Sequence, residues 1–250
     1  MASSVKSIGM TDVANTGVAQ VAVVAKAADV GAAGESRLIP MWLKLAYTAF
    51  MAVLIPVYWY HYGPSNFLYF CDVALIITLV GVWRESPLLI SMPAVGILAP
   101  QVLWVADFIG NLAGFHLTGM TDYMFDSAKP LFLRGLSLFH GWLPFLLVFL
   151  VWKVGYVRRA LPAWSALAIA LIAVCYFFMP GPTPNAGNAA VNINYVYGMS
   201  DSAAQTWMPG WAWLATLMIG MPIVLFAPVH IVLDRWRGRR AAPEGCAAAA

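Results

Sequence analysis

Apolar residues run along this chain in six long stretches, separated by short polar or proline-rich breaks. A run of about 20 mostly apolar residues is long enough to cross a bilayer as a helix. Such runs fall at about 41–60, 65–83, 87–109, 131–153, 162–179 and 210–233. Pro40, Pro64, Pro87, Pro130 and Pro162 stand at or beside their starts. There the missing N–H would be unpaired anyway. Pro56, Pro93, Pro100, Pro144, Pro222 and Pro228 fall inside the runs and predict kinks. Neighbouring helices must then satisfy the freed carbonyls. The pattern predicts an all-α fold, a polytopic integral membrane protein with a bundle of six transmembrane helices over residues 40–236.

Composition agrees with the pattern. Of 250 residues, 62% are hydrophobic and 10% are charged. A soluble domain is about 45–50% apolar and about 25% charged, so this chain has too little charge to cover a water-facing surface. Widespread disorder is excluded by the 14% aromatic content. The net charge of +3 is small and dispersed, which excludes a nucleic-acid footprint. Membrane lipids are the expected partners, and the sequence sets no oligomeric state.

The basic residues fix an orientation. With the N-terminus in the cytoplasm, Lys6, Lys26, Arg37, Arg84, Lys153, Arg158, Arg159, Arg235, Arg237, Arg239 and Arg240 all lie inside, 11 of the 14 Lys and Arg. Only Lys129 and Arg134 reach the outer face, and Lys44 sits in the first span. The positive-inside rule therefore predicts cytoplasmic N- and C-termini, in the inner (cytoplasmic) membrane of the cell. Residues 1–39 read as a mobile cytoplasmic tail, with Met41 an alternative start, and residues 237–250 as a basic, then Ala-rich, cytoplasmic tail. Two outer loops are long, 110–130 and 181–209. Long loops of specific composition tend to carry function.

Ionisable groups inside spans are expensive and mark candidate sites. At about 1.5 Å rise per residue, Cys71 and Asp72 lie about 10 Å below the outer end of the second span. His140 lies about 13 Å below that of the fourth. These residues admit two readings. In one, Cys71 is a nucleophile, His140 its general base and Asp72 the orienting group, because a thiol in an apolar site needs a base to take its proton. In the other, Cys71 is a small core residue and the rest form a satisfied hydrogen-bond network. Asp107 and Arg134 match in depth and oppose in charge, so they read as a helix–helix ion pair or a headgroup grip at the cavity mouth. The second outer loop, with Asn192, Asn194 and Tyr195, reads as a lid that turns at Tyr197-Gly198. Its Asn amides are candidate oxyanion donors. His116, Asp122 and Asp126 lack metal-ligand spacing, so no metal and no cofactor is expected. Three cysteines without CxxC spacing argue against a disulfide framework.

The segments FLYFCDVALI, YMFDSAKPLFLRGLSLFHGWLPFL, NINYVYG and TWMPGWAWL resemble a group of uncharacterised bacterial six-span integral membrane proteins. More distantly, their order is similar to the YwaF-like proteins and related transmembrane Cys/His acyltransferases. Those proteins carry a Cys-Asp pair in an early span, a later His-Gly, an Asn-Tyr loop segment and a Trp-rich start to the last span. The corresponding residues here are Cys71-Asp72, His140-Gly141, Asn194-Tyr195 and Trp207 through Trp213. The resemblance covers about residues 41–236. It implies an outer-leaflet lipid acyl-transfer or ester-hydrolysis enzyme. Tyr69 stands where that family often has a His. The rival expectation is a non-catalytic membrane protein, a small-solute permease or an assembly partner.

Overall fold

Lys44, Tyr47, Met51, Leu54 and Tyr58 recur every three or four residues along α1 (Met41–Tyr62) and are its buried side chains. The rest of that helix faces outward, with Trp42, Trp59 and Tyr60 exposed. A broad exposed apolar surface of this kind marks contact with lipid. The structure, a computed structural model, describes residues 38–184, 187 and 189–237. The expectations for the two tails fall almost wholly outside the described residues.

All regular elements among the described residues are helical. After α1 come a 3₁₀ turn (Pro64–Leu68), α2 (Phe70–Arg84), α3 (Pro87–Leu112), α4 (Leu131–Ser137), α5 (Phe139–Val154) and α6 (Ala160–Phe178). Then follow α7 (Gly210–Gly220), a π-helical turn (Met221–Phe226) and α8 (Ala227–Arg237). Five helical stretches are long and apolar enough to cross a membrane: α1, α3, α4 with α5, α6, and α7 through α8. The segment expected as the second span divides. Its α-helical part, α2, has 15 residues, about 22 Å at 1.5 Å per residue. That is shorter than the roughly 30 Å hydrocarbon core. The division comes at Tyr69, which is extended (φ −62°, ψ 138°) between the 3₁₀ turn and α2.

Proline explains part of the remaining geometry. The helices continue through Pro56, Pro93, Pro100 and Pro144. At Pro222 the chain widens into the π-helical turn, one way to absorb a missing N–H. α4 and α5 meet at Leu138 (φ −63°, ψ −5°), where Gly141 N–H donates to the Leu138 carbonyl at 2.9 Å.

α3 is the centre of the bundle, packed on α2, α5, α6, the π-helical turn and α8. Gly96 makes that packing possible. A Cβ there would lie 1.9 Å from the Trp164 ring, which is itself fully buried on α6.

One end of the bundle is tied by polar contacts. Lys44 Nζ meets Glu85 Oε1 at 2.7 Å, and the Leu38 and Ile39 N–H groups donate to the same carboxylate at 3.0 and 3.3 Å. Burial pushes the Glu85 carboxyl up. The Lys44 and backbone hydrogen bonds outweigh it and hold the group below its ordinary range. The start of α1 therefore lies beside the end of α2. Tyr156 Oη and His230 Nδ1 are 2.7 Å apart, Arg158 Nε donates to Asp234 at 2.8 Å, and Val157 N–H donates to Ser91 Oγ at 3.1 Å. These bonds tie the α5–α6 turn to α8 and to the start of α3.

Because the Trp164 ring has nowhere to retreat, Gly96→Ala overpacks the α3–α6 contact. Such overpacking costs about 1–3 kcal/mol. A melt of the purified protein in detergent checks this. The midpoint drops for Gly96→Ala and recovers in part when Trp164→Leu is added.

Candidate functional site

α2 begins without a side-chain cap from its own sequence. Four N–H groups at a helix start lack helical partners, and an end buried away from water must find them elsewhere. Here the loop between α6 and α7 supplies one. Asn194 Oδ1 accepts from Phe70 N–H at 3.0 Å, and Asn194 Nδ2 donates to the Leu68 carbonyl at 2.9 Å and faces Cys175 Sγ at 3.6 Å. One carboxamide spans the junction between the 3₁₀ turn and α2.

Cys71 and Asp72 follow at once, in the first turn of α2, so they sit at the helix start and not deep within a continuous span. Asp72 is 3% exposed. Its Oδ2 accepts from Asn66 Nδ2 at 3.2 Å and lies 3.9 Å from Cys71 Sγ, while Oδ1 is buried without a partner. The positive end of the helix dipole favours a carboxylate at this position.

His140 also occupies a first turn, that of α5. Its Nδ1 lies 2.8 Å from the Ser137 carbonyl. In the neutral ring Nδ1 is then the donor, which leaves Nε2 as an acceptor. The ring stacks on Trp104 of α3 at 5.0 Å between centroids. Ser137 Oγ meets Tyr58 Oη at 2.9 Å. The Tyr58 hydroxyl lies within electrostatic reach of Asp72 and Tyr123, and Tyr123 within reach of Cys71, Trp104 and Ser137. Hydrogen bonds thus link His140 to the Ser137 carbonyl and Ser137 to Tyr58, and separately Asp72 to Asn66 and Cys71; electrostatics alone relate these two polar groups. Among the described residues no hydrogen bond joins Cys71 to His140; the thiol faces Asp72.

Tyr58, Asn66 and Tyr123 complete these groups, and the sequence reading did not single them out. Tyr58 was signalled by its place on the buried stripe of α1. Asn66 lies six residues before Asp72 across a helix break, and Tyr123 comes from a loop, so neither carries a periodic signal.

Asp107 and Arg134 do not form the expected ion pair. Asp107 is fully buried. It accepts from the N–H groups of Thr118, Gly119 and Thr121 at 2.6, 3.2 and 2.9 Å, and from Thr121 Oγ1 at 2.6 Å. The loop after α3 folds over it and supplies all four donors. Arg134 Nη1 donates instead to the Met124 carbonyl at 3.0 Å. Donors from the loop 11–14 residues further along the chain reach the carboxylate, where a side chain on another helix does not.

The loop carrying Asn192 and Tyr195 is buried although it is irregular. Asn192 donates to the Gly198 and Ser200 carbonyls at 2.9 and 3.0 Å and accepts from Tyr197 N–H at 2.9 Å. Both Asn amides are thus engaged by backbone, which removes them as oxyanion donors in this arrangement. Tyr195 is held through its carbonyl by Trp213 Nε1 at 2.9 Å. Asn192, Asn194 and Tyr195 all have left-handed backbone (φ 46°, 59° and 60°). Residues held this way cost on the order of 1–3 kcal/mol each, and persist only where the surroundings over-determine them. The expected turn at Tyr197-Gly198 is present, with Gly198 at φ 133° and Gln205 N–H donating to the Tyr197 carbonyl at 2.9 Å. Burial lifts the nearby Asp201 carboxyl above its ordinary range, against the Asn192 amide, which lowers it.

His116 Nδ1 pairs with Asp122 at 3.0 Å, while Asp126 accepts from Ala128 N–H at 2.9 Å. Among the described residues no three His, Cys, Asp or Glu side chains converge on a metal position. Compared with known proteins, the chain matches no family model, no curated protein and no solved structure.

A double-mutant cycle of Asp107→Asn and Arg134→Gln gives a coupling below about 0.5 kcal/mol, the value for independent sites. Asp107→Asn alone costs about 2 kcal/mol, because hydrogen bonds to a charged group are lost. It also speeds proteolysis within residues 113–130. Thermal melts and limited proteolysis measure both.

Proposed function

We propose that this is a six-span integral membrane protein of the inner (cytoplasmic) membrane, with both termini in the cytoplasm, acting as an outer-leaflet lipid acyl-transfer or ester-hydrolysis enzyme. The start of α1 lies beside the end of α2, and the turns after α2 and α5 gather with α8 at one end of the bundle. That arrangement supports an even number of crossings, with the short α2 and its 3₁₀ turn as the second. Arg84, Lys153, Arg158, Arg159, Arg235 and Arg237 cluster toward this same end, which supports its being cytoplasmic.

The observation that carries the enzymatic reading is this pair of polar groups. A thiol, a carboxylate and an imidazole with a free Nε2 stand in first turns of helices at the opposite, loop-covered end. In the proposed reaction Cys71 Sγ attacks the carbonyl carbon of a lipid ester. Its proton passes to His140 Nε2, while Asp72 orients the thiol it faces. The tetrahedral intermediate collapses to a thioester, and the alcohol leaves with the proton. A second lipid alcohol, or water, then attacks the thioester and restores the thiol. Catalytic hydrogen bonds often form only with substrate bound, so the missing Cys71–His140 hydrogen bond is compatible with these roles. The resemblance to the YwaF-like and acyltransferase proteins points the same way.

The specific observation favouring the non-catalytic reading is that the Asn192 and Asn194 amides are already engaged. Within that reading a permease is disfavoured. The Lys44–Glu85 and Tyr156–His230 contacts occupy the cytoplasmic end, and the core between is mostly apolar, with Thr78 and Gln101 as its buried polar side chains.

Comparative lipidomics of cells expressing wild type or variants tests the proposal. Wild-type expression shifts the acyl composition of a phospholipid class. Cys71→Ala abolishes that shift, and His140→Ala lowers turnover about 100-fold or more, the scale of a lost general base. Identical lipid profiles for wild type and Cys71→Ala would overturn the enzymatic reading.

A further inference from the structure

The second outer loop does more than cover these groups. Its buried segment, Ala190 through Val196, packs with Ile172 and Cys175 of α6 against Leu68, Tyr69 and Phe70 at the start of α2. Three side-chain hydrogen bonds fasten it there. Asn194 holds both sides of Tyr69, through Leu68 and Phe70, and Tyr69 Oη donates to the Val191 carbonyl at 3.3 Å. The extended Tyr69 is the residue that sets the direction in which α2 leaves the 3₁₀ turn. Cys71 and Asp72 are the next two residues but one and two. Their side-chain directions follow from that single junction.

The backbone of the loop is bent to make this contact. Asn194 is left-handed, and it is 6% exposed. Left-handed geometry at a buried residue other than glycine is a cost that the loop bears at the very position where its carboxamide meets α2. A residue whose task was only to close the loop would be better as glycine.

We infer that Asn194 is a positioning residue: its carboxamide, acting in place of a local cap, fixes the first turn of α2 and so sets the exposure and orientation of the Cys71 thiol. The loop and the thiol are then one unit. Any event that lifts residues 190–197 also frees Cys71. This inference deepens the functional proposal above by naming what controls its nucleophile, and it rests on that reading only for the thiol's purpose.

The test reads thiol reactivity and needs no substrate. The full chain carries Cys175→Ser, which keeps an acceptor facing Asn194, and Cys246→Ser, so that Cys71 alone is labelled. Maleimide labelling rates are measured in detergent 20 °C below each variant's own melting midpoint. Asn194→Ala is expected to raise the rate at least tenfold. Asn194→Asp keeps the acceptor for Phe70 N–H and loses the donor to Leu68, so it falls between. Trp213→Phe releases the Tyr195 carbonyl without touching Asn194 and raises the rate in the same direction. It also keeps the test open if Asn194→Ala does not fold. Unchanged labelling rates in folded Asn194 and Trp213 variants, with only the melting midpoint lowered, would overturn the inference. Failure of the enzymatic reading shows separately, as a Cys71→Ala lipid profile equal to wild type, whatever the labelling rates.

Discussion

A single carboxamide joins two parts of the chain more than 120 residues apart: Asn194 bonds the Leu68 carbonyl and the Phe70 N–H on either side of an extended tyrosine. Within a membrane protein an unpaired backbone group is costly, because no water stands ready to replace a lost partner. A helix that starts below a loop therefore needs its caps delivered by other elements. α2 receives its cap from the loop between α6 and α7, and the loop accepts left-handed backbone at Asn192, Asn194 and Tyr195 in exchange. The start of α2, the burial of the loop and the placement of Cys71 and Asp72 all depend on this contact.

The same rule organises the rest of this end of the bundle. Asp107 gathers the N–H groups of Thr118, Gly119 and Thr121, so the loop after α3 is pinned by a carboxylate projecting from α3. His140 takes the Ser137 carbonyl at the break between α4 and α5. Tyr58 bridges from α1 to Ser137. Polar side chains at this end thus act first on backbone, and among the described residues Asp72 Oδ1, Trp104 Nε1 and Arg134 Nε stay buried without a hydrogen bond. The opposite end is held by side-chain pairs, Lys44 with Glu85 and Tyr156 with His230.

Much of the helical layout was legible in the hydrophobic pattern, because long apolar runs have one solution in a bilayer. Helices α1, α3 and α6 begin and end within a few residues of the runs that predicted them. The breaks at Tyr69 and Leu138 were not legible. Neither carries glycine or proline, and each arises from a distant or local side chain taking a backbone group. The polar candidates were legible as residues but not as partners. Opposite charge at equal depth suggested Asp107 with Arg134, yet periodicity says nothing about loop N–H groups that fold back onto a carboxylate. Asn192 and Asn194 were noticed as amides facing a site, and their actual partners are carbonyls and N–H groups that no side-chain motif displays.

Amide hydrogen exchange at the start of α2, resolved to single residues, tests the central constraint most directly. If Asn194 caps the helix, the Phe70 N–H in the wild-type protein is protected to the level of the bundle core, and Asn194→Ala removes that protection while leaving α3 and α6 unchanged. Free exchange of Phe70 in the wild type, at the rate of an uncapped first turn, would contradict the account.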